Sequence, residues 1–486
     1  MKNTIFYPIL FILLATFCGF SKSKTVPIVD HPSQLKFKKL DWKVPEGKPY
    51  RIELKNGAVL YIAQDSLLPL VQITGYVNYG SLLDPEGKEG ISSLLTNLMR
   101  TGGTQKYPSD TLNELIDLMA IKVGLSTSLS QLTFSASFLS EYTEQALDII
   151  QQILFFPVFE QEKVDKEKKI TLESIRHRFN EPAPILEAAY VKSMYRGQIH
   201  GRLTSEKSVN AISRDDLLKL HKRVFTQSNM IISVSGMFNR DSMTARIDKL
   251  LNADMKKHVK AEFPSVKLSS PDKCLIVHKP LTQAYVRLGL PLFKRPHEDY
   301  YAMSVLNVIL GGGGFTSRLG AKIRSNEGLT YSIYSHAESN YTFDGTFFIS
   351  FFTANASFAK AIDLTLKEVR EVVANGVTDK EIAHAKASLA GDLPSMFRSS
   401  FDIVSTYAWN EYYGRSENHY KEYEKKINDV SKKDLVRVAE KYLDMNNIIY
   451  TVVGDTSVLL KQESGDFSLK KLKVKIVDTD SLSLLP

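Results

Sequence analysis

One passage of this sequence occurs twice. VNAISRDDLLKLHKRVFTQSNMIISVSGMF begins at Val209 and INDVSKKDLVRVAEKYLDMNNIIYTVVGDT begins at Ile427, an offset of 218 residues. Ser213 aligns with Ser431, Asp216 with Asp434, Leu217 with Leu435, Asn229 with Asn447 and Gly236 with Gly454. Each copy reads as a capped helix followed by an apolar strand. Internal duplication is the simplest account, and it constrains the fold more than composition does. It calls for two similar halves of about 220 residues each, with their boundary near residues 254–272. At 486 residues the chain is in any case too long for a single core.

The rest of the chain fits that division. Residues 50–54 and 58–64 alternate on either side of Asn56-Gly57, a strong hairpin turn. Residues 70–80 read as a strand, 90–99 and 111–118 as helices, and 124–138 as two antiparallel strands of period two. Helical patterns follow at 142–155 and 161–179. The second half repeats the plan with strands at 275–278 and 285–290, a helix at 299–310, strands near 331–337 and 346–353, and helices at 358–374 and 379–398. The expected fold class is α+β: two homologous domains, each a mixed, mainly antiparallel sheet with helices packed on one face. The expected bounds are 49–262 and 271–486, after an extended lead-in at 24–48.

Residues 1–23 carry Lys2, an apolar core at 5–17 and small residues at Gly19, Ser21 and Ser23, the pattern of a secretory signal. Cys18 is a candidate lipidation site, although Phe17 before it is large where such sites prefer a small residue. After processing, Cys274 is left as the single remaining cysteine or nearly so, which excludes a disulfide framework. The expectation is an exported protein, periplasmic or envelope-associated. The net charge of +8 is spread over scattered lysines and arginines without interleaved aromatics, which argues against a nucleic-acid partner.

Residues 311–331 read GGGGFTSRLGAKIRSNEGLTY. Four glycines permit close backbone approach. Arg324 offers a five-donor fork for carboxylate or carbonyl oxygens, and Tyr331 a phenolic donor. The string resembles the C-terminal half of the insulinase (pitrilysin-like) zinc metallopeptidases, where an Arg and a Tyr seven apart hold the substrate peptide. The resemblance implies that Arg324 and Tyr331 bind peptide here, with Gly312, Gly313 and Gly314 allowing movement or close approach.

Members of that family carry His-x-x-Glu-His on a helix, with two imidazoles on one face as zinc ligands and a glutamate that activates water. The flanking Asp84-Pro85, Gly87, Gly90 and Gly103-Thr104 set the register in this chain. Ser93, Thr96 and Asn97 then stand where His, Glu and His are expected. About 76 residues beyond Asn97, Ser174 takes the place of the third ligand, a glutamate. Hydroxyls and an amide do not replace two imidazoles and a carboxylate on zinc, and Thr96 has no pKa suited to a general base. The resemblance therefore implies no metal and no catalytic residue in this chain. No two histidines stand at ligand spacing, and no nucleophile-elbow motif is present.

Some bacterial relatives work as pairs of chains, one with the zinc site and one without. The chain resembles the second kind: a non-catalytic, substrate-binding subunit of a heterodimeric metallopeptidase, with zinc in the paralogous partner. One alternative is a stand-alone peptide-binding or scaffolding pseudoenzyme. A third reading keeps an enzyme with its chemistry at another site.

Overall fold

The computed structural model describes residues 42–225, 230–251, 261–266, 268 and 272–485, together with residues 29, 31, 34 and 35. The expected signal segment, Cys18, most of the lead-in, Asn229 and most of the expected junction lie outside the described residues. Contacts divide the chain into Met1–Lys43 and Val44–Pro486. In the first unit the Gln34 N–H donates to the His31 carbonyl at 3.0 Å. Everything below concerns the second.

Its first half begins with the hairpin of β1 (Arg51–Glu53) and β2 (Val59–Gln64). The Asn56 side-chain oxygen accepts the Ala58 N–H at 2.9 Å, and Gly57 takes φ +85°, as an Asn-Gly turn requires. There follow β3 (Leu70–Val77), α1 (Ile91–Thr101), α2 (Ser109–Leu118), β4 (Lys122–Thr127), β5 (Leu132–Leu139), α3 (Thr143–Phe155), α4 (Gln161–His177), α5 (Pro182–Met194), α6 (Glu206–Ala211), α7 (Arg214–Val224), β6 (Met230–Gly236) and α8 (Arg240–Leu251). The second half runs β7 (Cys274–His278), β8 (Gln283–Pro291), α9 (Tyr300–Asn307), β9 (Ile333–Glu338), β10 (Thr346–Ala354), α10 (Phe358–Asn375), α11 (Asp379–Asp392), α12 (Ser400–Tyr412), α13 (His419–Asp429), α14 (Lys432–Tyr442) and β11 (Ile449–Gly454). It ends with α15 (Thr456–Leu459), the ribbon β12 (Glu463–Ser464) and β13 (Phe467–Ser468), β14 (Val474–Val477) and α16 (Thr479–Leu484).

The two large sheets show the duplication directly. Their orders are β1-β2-β6-β3-β5-β4 and β14-β7-β11-β8-β10-β9. From β2 and from β7 onward the orders are identical, including the parallel pairs β2/β6 and β7/β11. The sixth strands differ. In the first sheet β1 arrives by a hairpin and runs antiparallel to β2, whereas in the second β14 comes from the C-terminal tail and runs parallel to β7. The repeated helices α7 and α14 carry the same capping box, Ser213 with Asp216 and Ser431 with Asp434.

Helices cover one face of each sheet as expected, and the structure adds a helix on the other face. That helix comes from the opposite half. α5 packs on β7, β11 and β8, while α12 packs on β2, β6 and β3. Pro182 to Met194 and Ser400 to Tyr412 are offset by the same 218 residues, so the halves exchange equivalent helices. Ile185, Leu186, Ala188 and Ala189 of α5 are buried with Leu275, Val277 and Val453. Gly289 lets α5 approach β8, since a Cβ there would lie 2.5 Å from the Tyr190 ring. On α12, Trp409 meets Tyr76 edge to face at 5.3 Å. Glu411 accepts both arms of the Arg51 fork at 2.9 and 2.8 Å and the Tyr61 hydroxyl at 2.7 Å. Burial opposes the Glu411 charge, but Arg51 and Tyr61 outweigh it and hold the carboxyl below its ordinary range.

Candidate functional site

The frame of the zinc motif is intact and has a structural explanation. Asp84 is buried, and its carboxylate accepts the Gly90 N–H at 3.0 Å and the Ser92 hydroxyl at 3.1 Å, fixing the start of α1. Gly87 and Gly90 take φ +77° and +98°, where a side chain would be strained. Burial pushes the Asp84 carboxyl up to about 6.

What the frame presents is not a metal site. Ser93 and Asn97, one turn apart on α1, are exposed. Thr96 is buried, and its hydroxyl donates back to the Ser92 and Ser93 carbonyls of its own helix at 3.2 and 3.0 Å. The Asn97 amide donates to the Glu167 carboxylate on α4 at 2.9 Å, so the helix that would bring the third ligand is tied to α1 by an amide–carboxylate hydrogen bond. Ser174, on α4, is exposed. Glu173 beside it pairs with Arg176 at 2.6 Å. The donor set here does not fit zinc. No group of three His, Cys, Asp or Glu among the described residues could hold a metal ion.

The glycine-rich segment is held firmly rather than loosely. After α9 the chain widens into a π-turn, Val308–Gly312, and a second π-turn spans Gly320–Asn326. A Cβ on Gly311 would lie 2.4 Å from the Ser335 backbone nitrogen, and one on Gly320 2.1 Å from the Gly314 carbonyl oxygen. The glycines at 311 and 320 therefore serve the chain's own packing, the first against β9. A Cβ on Gly312 would meet the Asn307 amide at 2.5 Å, and one on Gly313 the Val308 carbonyl at 2.7 Å. Gly314 is exposed with φ +60° and open space around it. Arg318 anchors the segment to α11, with its fork on Glu381 at 2.6 and 2.9 Å and a further donor on the Gly376 carbonyl at 3.2 Å. This pair holds the Glu381 carboxyl down to about 2. Sequence reasoning missed Arg318 and Glu381. The capping Thr378-x-x-Glu381 pattern was visible, but nothing in the sequence said the same carboxylate would also take Arg318.

Arg324 and Tyr331 stand apart from this anchoring. The Arg324 guanidinium lies over the Phe315 ring, 4.0 Å from its centre, and no carboxylate among the described residues pairs with it. Phe315 is 65% exposed and Tyr331 80% exposed. Tyr331 sits on the extended lead into β9, where the Thr353 hydroxyl donates to the Leu329 carbonyl at 2.6 Å. β9 is an edge strand. The segment thus carries an unpaired guanidinium over an exposed ring and leads through an exposed phenol into an edge strand, its backbone pinned by the glycine contacts and by Arg318. A cation and a hydroxyl so placed can hold carbonyl or carboxylate oxygens of an extended chain.

Comparison with known proteins identifies the family and the fold. The profile described as Insulinase (Peptidase family M16) matches residues 62–206, and that described as Peptidase M16 inactive domain matches residues 211–389. A Helicobacter pylori protein named non-peptidase homolog YmxG is 24% identical over 396 residues, 81% of this chain and 90% of the relative. A Bacillus subtilis protein named uncharacterized zinc protease YmxG is 26% identical over 368 residues, 74% of this chain and 87% of its own length. Among solved structures, a peptidase M16 inactive domain from Pseudomonas fluorescens aligns with TM-score 0.75 and 22% identity, covering 84% of this chain and 97% of that one. A protease from Helicobacter pylori aligns with TM-score 0.71 and 18% identity, covering 83% and 98%.

Proposed function

The chain belongs to the insulinase family of peptidases, family M16, and we propose that it is the non-catalytic, substrate-binding subunit of a two-chain zinc metallopeptidase of the cell envelope. The unequal fate of two residue sets carries this reading. The positions that would hold and use zinc are Ser93, Thr96, Asn97 and Ser174, none of which can do so. The positions that would hold a peptide, Arg324 and Tyr331, have chemistry suited to it: Arg324 is half-buried over the exposed Phe315 ring without a carboxylate partner among the described residues, and Tyr331 is exposed. A guanidinium without a carboxylate partner suits the oxygen atoms of a bound peptide.

In this account a paralogous chain with an intact His-x-x-Glu-His supplies zinc, the water-activating glutamate and a strand edge for the peptide backbone. Arg324 holds a carbonyl or terminal carboxylate of the substrate. Tyr331 orients the scissile carbonyl or donates to its developing oxyanion. Gly314, with open space around its Cβ direction, leaves room for close approach of the peptide, while Gly312 and Gly313 serve the turn itself. A location outside the cytoplasm belongs to this reading and is supported by the signal-like residues 1–23, with Cys18 as the candidate lipid anchor. A second reading, a peptide-holding scaffold without proteolysis, draws on the exposed Phe315 and Tyr331 rings, which can grip apolar segments unaided.

Mixing the purified chain with the zinc-motif relative from the same organism separates the two. A one-to-one complex by native mass measurement is the expected result. A homodimer of this chain that ignores the relative would contradict it and favour the scaffold.

A further inference from the structure

We infer that a second site, remote in sequence from the glycine-rich segment, binds a small molecule carrying an oxyanion, phosphate or carboxylate. A cavity of about 770 Å³ opens among the approach to α9, the connection between β9 and β10, the turn from α12 to α13, and α14. Its volume lies within the ~300–1,000 Å³ usual for small-molecule sites. Two arginines on its wall share one ring. The guanidinium carbons of Arg295 and Arg415 lie 4.4 and 4.6 Å from the centre of the Tyr341 ring. Arg295 also lies 4.5 Å from the Tyr300 ring, and Arg415 5.6 Å from that of Tyr413.

Neither arginine has a counter-ion. Among the described residues no carboxylate pairs with either, and the Nε of each is buried without a hydrogen-bond partner. The side-chain acceptor bonded to them among the described residues is the Tyr420 hydroxyl, 3.2 Å from an Arg415 nitrogen. The other cations of the cavity are already neutralised, Lys426 by Glu422 at 2.8 Å and Arg437 by Asp299 at 2.5 Å. Of the acidic groups on the wall, Asp434 caps α14 through Ser431, while Glu298 and Asp429 are exposed and form no ion pair with either arginine. His419 reports the resulting field. Burial, then Arg415, Arg295 and Lys426, depress its pKa to about 4.

Two like charges gathered on one tyrosine and partly removed from water cost folding free energy unless an anion answers them. A tyrosine ring supplies no oxygen acceptor in the guanidinium plane, so both arginines keep N–H donors for oxygen atoms, the groups with which Arg binds phosphate and carboxylate. The surrounding tyrosines suit a flat or apolar body attached to that anion.

The test is calorimetric titration and thermal melting of the whole purified chain at constant ionic strength. Pyrophosphate and citrate are the probes, and sodium chloride is the control. One probe is expected to raise the melting temperature by about 3 °C at 100 times its Kd, and which one does so identifies the anion class. Arg415→Met and Arg295→Met should each weaken that binding at least tenfold. Arg415→Lys, which keeps the charge and packing but not the fork, should fall between. No response beyond chloride from either probe would overturn the assignment, as would a response undiminished in the folded Lys variant and both Met variants.

Discussion

Arg318 and Arg324 stand six residues apart on one segment and are used differently. Arg318 is consumed by Glu381, and Arg324 lies over the Phe315 ring with no carboxylate partner among the described residues. The Glu381 carboxyl lies at about 2 in the folded chain against an ordinary 4.5, so the unfolded chain binds the extra proton between those values. The pair's contribution to stability is therefore complete above about pH 4.5 and fades as pH falls toward 2. Urea melts across pH 2–7 should show that loss in the parent chain and a shallower one in Glu381→Gln. Tyr331→Phe makes the converse case. At 80% exposure its hydroxyl supports nothing in the fold, so stability should stay within about 0.5 kcal/mol. Hydrolysis by the mixed subunits should fall roughly 100-fold, the usual cost of one oxyanion donor. The positions of Ser93, Thr96 and Asn97 were legible in the sequence because the flanking glycines fix the register of α1. Arg318's role was not, because its partner is 63 residues away and a sequence pattern does not show which carboxylate a fork will meet.

At the scale of elements, most strands and helices follow from period and turn chemistry, the Asn56-Gly57 hairpin above all. The exchange of α5 and α12 does not. PAPILEAAYVKSM and SFDIVSTYAWNEY occupy corresponding places but share little beyond Ile185/Ile403 and Leu186/Val404, since each is shaped to a different sheet. The tail was equally opaque. β14 becomes a strand because β7 offers a free edge, which local propensity does not record. Two predictions belong here. Gly311→Ala puts a methyl 2.4 Å from the Ser335 nitrogen and should destabilise the chain by at least about 1–3 kcal/mol in denaturant melts, as overpacking does. Because each half closes the other's sheet, residues 44–251 and 261–486 produced together as separate chains should co-elute as one species, and each alone should be insoluble or unfolded. Independent, soluble halves would contradict the exchange.

Over the whole molecule, a duplicated chain of the M16 family carries residues at Ser93, Thr96, Asn97 and Ser174 that do not fit zinc, and Arg324 and Tyr331 are proposed still to hold peptide. The most direct test of that claim is peptide hydrolysis with zinc added, by the chain alone and after mixing with its zinc-motif paralogue. Activity should appear in the mixture alone, and Arg324→Ala or Tyr331→Phe in this chain should remove most of it. Zinc-dependent cleavage by the chain alone would contradict the account, because Ser93, Thr96, Asn97 and Ser174 could not then be the positions that decide catalysis.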